Sequence, residues 1–139
     1  MALDGILDTR FYFAYFAPED ESSGAWTKSV VAKAKQGQLR LASSVVTLTE
    51  LYLTMGRDLG LEVVRNRIAS LRNVGISFID LKESEADVAG RIALKQSELP
   101  IADCMIAATC LVHAKGTILT NDSHFEQIDG VRTRWLRGP

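Results

Sequence analysis

Short runs of β-branched and apolar residues alternate with segments of helical periodicity along nearly the whole chain, and this alternation constrains the fold more than any other feature. Strands are predicted at residues 2–7, 39–44, 76–79 and 117–120, with a last edge strand at 131–135. The intervals at 25–35, 61–71 and 101–115 read as helices. A further helix begins near Val46, where Leu48, Leu51, Tyr52 and Met55 recur as one buried stripe. Another opens at Ser84 and Asp87, which resemble a capping box, and ends before Pro100. Residues 11–17 are an aromatic-rich stretch that Pro18 ends, and residues 121–123 form a turn. Parallel strands need long crossovers, usually helical, so the pattern predicts an α/β fold: a mainly parallel sheet with helices on both faces. The 139 residues suit one domain, 1–139.

Sixteen Lys and Arg against 17 Asp and Glu leave a net charge of −1, so any nucleic-acid surface must be local. The longest weakly polar run, residues 99–114, has 16 residues and contains Asp103 and His113, too short and too polar for a membrane span. Asp4 and Asp8 stand where a secretory signal would carry basic residues, and a cytoplasmic location is expected. Cys104 and Cys110, about 9 Å apart along a helix, read as reduced core thiols.

Four acids stand out because their surroundings are apolar. Glu50 is the single charge between Leu41 and Met55, Asp103 the single charge between Leu99 and Ala114, and Asp122 the single charge between Gly116 and Phe125. Asp8 closes the first strand. Ionised carboxylates in such segments require a partner, a surface position, a helix cap or a metal ion. Each also fits a local role: Asp8 and Asp122 as caps, Thr47 with Glu50 as a capping box, Asp103 through the helix dipole. The helical wheel points Glu50 away from its apolar stripe, with Val46 and Leu53 flanking it. In an open α/β sheet, however, ligands bind at the carboxyl ends of strands, where these positions fall. Oxygen donors meeting there would suit Mg²⁺ or Mn²⁺. Without a cation, two carboxylates about 5 Å apart repel by roughly 3 kcal/mol, and at least one should hold a proton.

The segments ILDTRF, SVVTLTELY, LPIADCMIAATCL and TILTNDSHFEQI, in this order, resemble the PIN-domain family, in particular the VapC type of toxin ribonuclease. The resemblance implies a five-stranded, mainly parallel PIN fold. It implies that Asp8, Glu50, Asp103 and Asp122 are catalytic and hold one or two Mg²⁺ or Mn²⁺ ions. It assigns Thr9 and Thr120 supporting positions around the site, and Asn121 is similar to a frequent residue of that turn; with Arg10, which stands beside the site, these are the expected supporting or substrate residues. Where many members carry a further Asp two positions after the fourth acid, this chain has His124, read as a solvated turn residue; His113 is read as a helix-end side chain. The implied activity is metal-dependent hydrolysis of RNA to 5′-phosphate and 3′-hydroxyl ends, in the toxin of a toxin–antitoxin pair. The implied partners are RNA, an antitoxin protein and a second copy in a homodimer.

With the four acids set aside, 16 basic residues face 13 acidic ones, and Arg10, Arg40, Lys115, Arg132, Arg134 and Arg137 are candidates for a phosphate-binding rim. Phe11, Tyr12, Phe13, Tyr15 and Phe16 are expected in the core or a dimer interface rather than under bases. Two other readings compete: a non-catalytic PIN-like module that binds RNA or protein, and a phosphoacceptor receiver domain. The second predicts a Lys after a late strand, where this chain has Asn121 and Asp122.

Overall fold

A computed structural model describes residues 2–137. The elements run β1 (Gly5–Leu7), α1 (Thr9–Phe16), α2 (Glu21–Lys35), β2 (Leu41–Ser44), α3 (Val45–Leu59), α4 (Leu61–Asn73), β3 (Ser77–Ile79), α5 (Glu83–Lys95), α6 (Ile101–His113), β4 (Thr117–Leu119), a 3-10 turn (Ser123–Gln127) and β5 (Arg132–Arg134). All strand pairs are parallel, in the order β3-β2-β1-β4-β5. The chain therefore steps outward from β1 to β3, then crosses back through α5 and α6 to the other side of β1. The reversal leaves a crevice between the carboxyl ends of β1 and β4.

The strand alternation divides the core in two. Ile6, Ala42 and Ile118 face α5 and α6, among Cys104, Ile106, Ala107 and Cys110. Leu7, Leu41 and Leu119 face the other layer, among Phe11, Tyr12, Val30, Leu51, Met55, Val64 and Ile68. Both cysteines are buried and free, and burial pushes the Cys110 thiol up to about 12. No described helix is long and apolar enough to cross a membrane.

The aromatic stretch is the helix α1, capped by Asp8, and Phe11 and Tyr12 are fully buried in the core as expected; the Tyr12 hydroxyl lies 2.6 Å from Ser43 Oγ. Other local expectations are corrected. Helix α2 begins four residues earlier than expected because Asp20 caps it, accepting from the Ser23 amide at 2.7 Å. The Ser84–Asp87 capping box does not form: α5 starts at Glu83 behind Lys82, and the Ser84 hydroxyl donates instead to Glu85 Oε2 at 2.6 Å. Thr47 and Glu50 form no box either, since Ser44 caps α3 through the Val46 amide. The buried stripe of α3 is Thr47, Leu51 and Met55, whereas Tyr52 is 38% exposed. A hydrophobicity wheel counts Thr47 as outward, but its hydroxyl lies 3.3 Å from that of Thr9 on α1. That shift of the buried face brings Glu50 to its edge.

Candidate active site

Asp8, Glu50, Asp103 and Asp122 line one small cavity of about 130 Å³, together with Thr9, Arg10, Phe13 and Thr54. Asp8 directly follows β1, and its amide donates to the Leu119 carbonyl of β4 at 3.3 Å, so it stands in the crevice itself. Thr120, one residue past β4, donates its hydroxyl to Asp8 Oδ2 at 2.7 Å and accepts from the Asp122 amide at 3.0 Å. One side chain thus sets both the first acid and the loop of the fourth. Across the cavity, Thr9 Oγ1 donates to Glu50 Oε1 at 2.6 Å, joining α1 to α3. Asp103 enters from the first turn of α6.

The capping roles and the shared cavity coexist. Asp8 caps α1, but its bonds from the Arg10 amide and Thr120 both go to Oδ2, leaving Oδ1 free of them. Asp122 caps the 3-10 turn, its Oδ1 accepting from the His124 amide at 3.0 Å, while Oδ2 lies 3.5 Å from Arg10 Nε. Arg10 is exposed at the cavity mouth. Asn121 lies on the other side of Arg10, lining a neighbouring cavity of about 300 Å³ with Phe13, Ser23 and Trp135, and is absent from the lining of the acidic one.

His124 differs from its sequence reading. Its side chain is 46% exposed, yet Nδ1 sits 3.0 Å from Asp103 Oδ2 and 3.5 Å from Asp122 Oδ1. Asp103, Asp122 and His124 each offer a ligand atom, all within 4.8 Å of one another. The residue spacing D-x-H was visible in the sequence; its proximity to Asp103 was not.

The electrostatics indicate a shortage of positive charge. Burial, only partly offset by the Thr120 hydroxyl, pushes the Asp8 carboxyl up to about 6. Burial and the Asp122 charge also raise Asp103, against the lowering effect of its His124 hydrogen bond. That hydrogen bond and the Asp122 charge raise His124 in turn. Carboxylates held near one another, short of cationic partners and joined by an imidazole, are a donor set that fits a divalent cation.

The basic rim is smaller than expected. Arg40, Lys115 and Arg132 precede or open β2, β4 and β5, at the amino edge of a parallel sheet and so away from the cavity. Arg134 ends β5 on the cavity edge, where its carbonyl accepts from the Thr120 amide at 3.2 Å. A buried acid–imidazole contact lies outside the sequence reading: Glu85, 1% exposed, meets His113 Nε2 at 2.5 Å between α5 and α6. Its spacing with Val88, Ala89 and Ile92 puts a carboxylate on an apolar stripe, which is the signal that would have found it.

A family model for the PIN domain matches residues 6–131. The chain belongs to the PIN domain family. No curated protein matches this PIN domain by sequence. Among solved structures, it is similar to the DNA-bound VapBC of Salmonella typhimurium, with 21% identity and a TM-score of 0.69 over 97% of this chain and 99% of that one. It is similar to VapBC2 of Rickettsia felis bound to a promoter DNA fragment, at 18% identity and a TM-score of 0.71 over 94% and 96% of the two chains. A toxin-antitoxin complex from Klebsiella pneumoniae gives 20% identity and a TM-score of 0.66 over 93% and 96%. At these identities the likeness is one of fold, and it covers the PIN domain and its counterparts almost end to end.

Proposed function

We propose that this PIN domain is a Mg²⁺- or Mn²⁺-dependent endoribonuclease and the toxin of a toxin–antitoxin pair. The observation that carries the reading is the convergence of Asp8, Glu50, Asp103 and Asp122, from four separate elements, on one cavity at the sheet's switch point.

The four carboxylates are the residues that would hold the ion. When bound, it supplies Lewis acidity that activates water near neutral pH and offsets charge on the phosphoryl oxygens. Thr120 holds Asp8 by Oδ2 and leaves Oδ1 free of that bond; Thr9 holds Glu50 by Oε1 and leaves Oε2 free in the same way. One of the two carboxylates orients the attacking water and accepts its proton. Arg10, exposed beside Asp122, meets a non-bridging phosphate oxygen. In-line attack then leaves 5′-phosphate and 3′-hydroxyl ends.

An acidic cavity also fits an Arg side chain inserted by an antitoxin, and the solved neighbours come from toxin–antitoxin complexes. Exposed Tyr52, Leu53, Leu59, Leu61 and Val63 on α3 and α4 offer apolar surface for that partner or for a homodimer. The two free buried thiols agree with a cytoplasmic location.

The test is cleavage of a labelled RNA by the purified protein with Mg²⁺, Mn²⁺ or EDTA. Cleavage should require the ion and disappear in Asp103→Asn. Cleavage that persists in Asp103→Asn or in EDTA refutes the proposal. RNA bound but uncut with either ion assigns the chain to the non-catalytic class of PIN-like binding modules.

A further inference from the structure

We infer that His124 is a direct nitrogen ligand of the ion at this site, and that it makes the site select a first-row transition-metal ion over Mg²⁺. The inference rests on the metal-dependent reading above, and concerns a residue that reading does not use.

The first argument is spacing. Two donors about 2.1 Å from an ion and at right angles to it stand about 3.0 Å apart. His124 Nδ1 and Asp103 Oδ2 are separated by 3.0 Å, and Nδ1 and Asp122 Oδ1 by 3.5 Å. These separations match those of neighbouring positions in one coordination sphere.

The second is local construction. His124 is the second residue of the 3-10 turn, and its amide is held by Asp122 Oδ1 at 3.0 Å. The Asp122 amide is in turn held by Thr120. Acid and imidazole are therefore fixed by the same turn that Thr120 ties to Asp8. The ring is half exposed, so in the Nε2–H tautomer the N–H would stay hydrated and the Nδ1 lone pair, beside Asp103 Oδ2 and Asp122 Oδ1, would be open to the ion those oxygens bind.

The third is ligand chemistry. Mg²⁺ takes oxygen ligands and retains its waters, whereas imidazole nitrogen suits first-row transition metals. One nitrogen in an otherwise carboxylate set lowers Mg²⁺ affinity relative to such an ion. The competing role for His124 is that of a hydrogen-bond donor through Nδ1–H, steadying Asp103 without touching the ion.

Pulsed electron paramagnetic resonance of the full chain loaded with Mn²⁺ separates the two roles. Directly bound imidazole gives ¹⁴N modulation, which should be present in the natural protein and vanish when its histidines are ¹⁵N-labelled. The chain has only two histidines, and His113 is occupied with Glu85. The modulation should also be lost in His124→Asp and His124→Asn. Calorimetric titration should show the ratio of Mn²⁺ to Mg²⁺ affinity falling about tenfold in His124→Asp, which returns an oxygen donor to the position. Mn²⁺ bound without nitrogen modulation overturns the inference and leaves the metal-dependent reading standing. No Mn²⁺ bound at all overturns both. The isotope experiment needs no variant, so a misfolded substitution does not blunt the test.

Discussion

Replacing Asp8 by Asn should make the metal-free protein more stable at neutral pH, although it removes a proposed metal ligand. Asp8 is 3% exposed, and burial raises its carboxyl from 3.8 to about 6. Between those values the folded chain holds a proton that the unfolded chain releases, so stability falls as pH rises through the window. A shift of about two pH units corresponds to about 3 kcal/mol, fully expressed above pH 6. Asn removes the charge and keeps an oxygen that accepts from Thr120 Oγ1, so it recovers up to about that amount. With a urea slope of about 2 kcal/mol per molar, the midpoint in EDTA at pH 7.5 should rise by about 1 M or more. The difference should shrink toward zero near pH 4. Saturating Mn²⁺ should narrow or reverse it, because the ion stabilises only the chain that binds it. An Asn variant less stable than the natural protein in EDTA at pH 7.5, or a gap unchanged between pH 7.5 and pH 4, would refute the reasoning.

Other outcomes follow from single contacts. Thr120→Val removes the hydroxyl shared by Asp8 and the Asp122 amide, and should weaken Mn²⁺ binding by about tenfold or more in calorimetry, with Thr120→Ser close to the natural protein. His113→Ala strips a buried carboxylate of a partner and should lose about 2 kcal/mol at pH 7 in urea melts. The Ser84 hydroxyl and His113 hold Glu85 down to about 2, so its contribution is present above pH 4.5 and lost as pH falls toward 2. Melts of Glu85→Gln should accordingly converge with those of the natural protein only in strong acid. Gly116→Ala should destabilise by more than about 3 kcal/mol: φ is +89° and the added Cβ would stand 1.9 Å from the Gly130 carbonyl oxygen. A normal melting temperature for that variant would contradict the described path of β4.

Much of the architecture was legible because its signals act over short stretches of chain. The β-branched runs, helical stripes and the alternation between them depend on residues a few positions apart, and they led to a parallel sheet clothed by helices. The misreadings have the same origin. Ser84 and Asp87 had the letters of a capping box, but α5 begins before them and Glu85 claims the Ser84 hydroxyl. Tyr52 matched the apolar period of α3, while Thr47 is what the fold buries.

The sequence by itself determined the class of fold, the four acids set in apolar segments and their places just beyond strands or early in helices. Only the tertiary structure decided which of those places are neighbours. Strand order 3-2-1-4-5 puts the ends of β1 and β4 side by side, and the Thr9–Glu50 bond turns α3 toward them. The same order sends Arg40, Lys115 and Arg132 to the far edge and brings His124 against Asp103, 21 residues away. Local propensity fixes what each segment becomes, but the meeting of distant side chains depends on how sheet order and helix packing satisfy the core, and no short stretch of sequence carries that information.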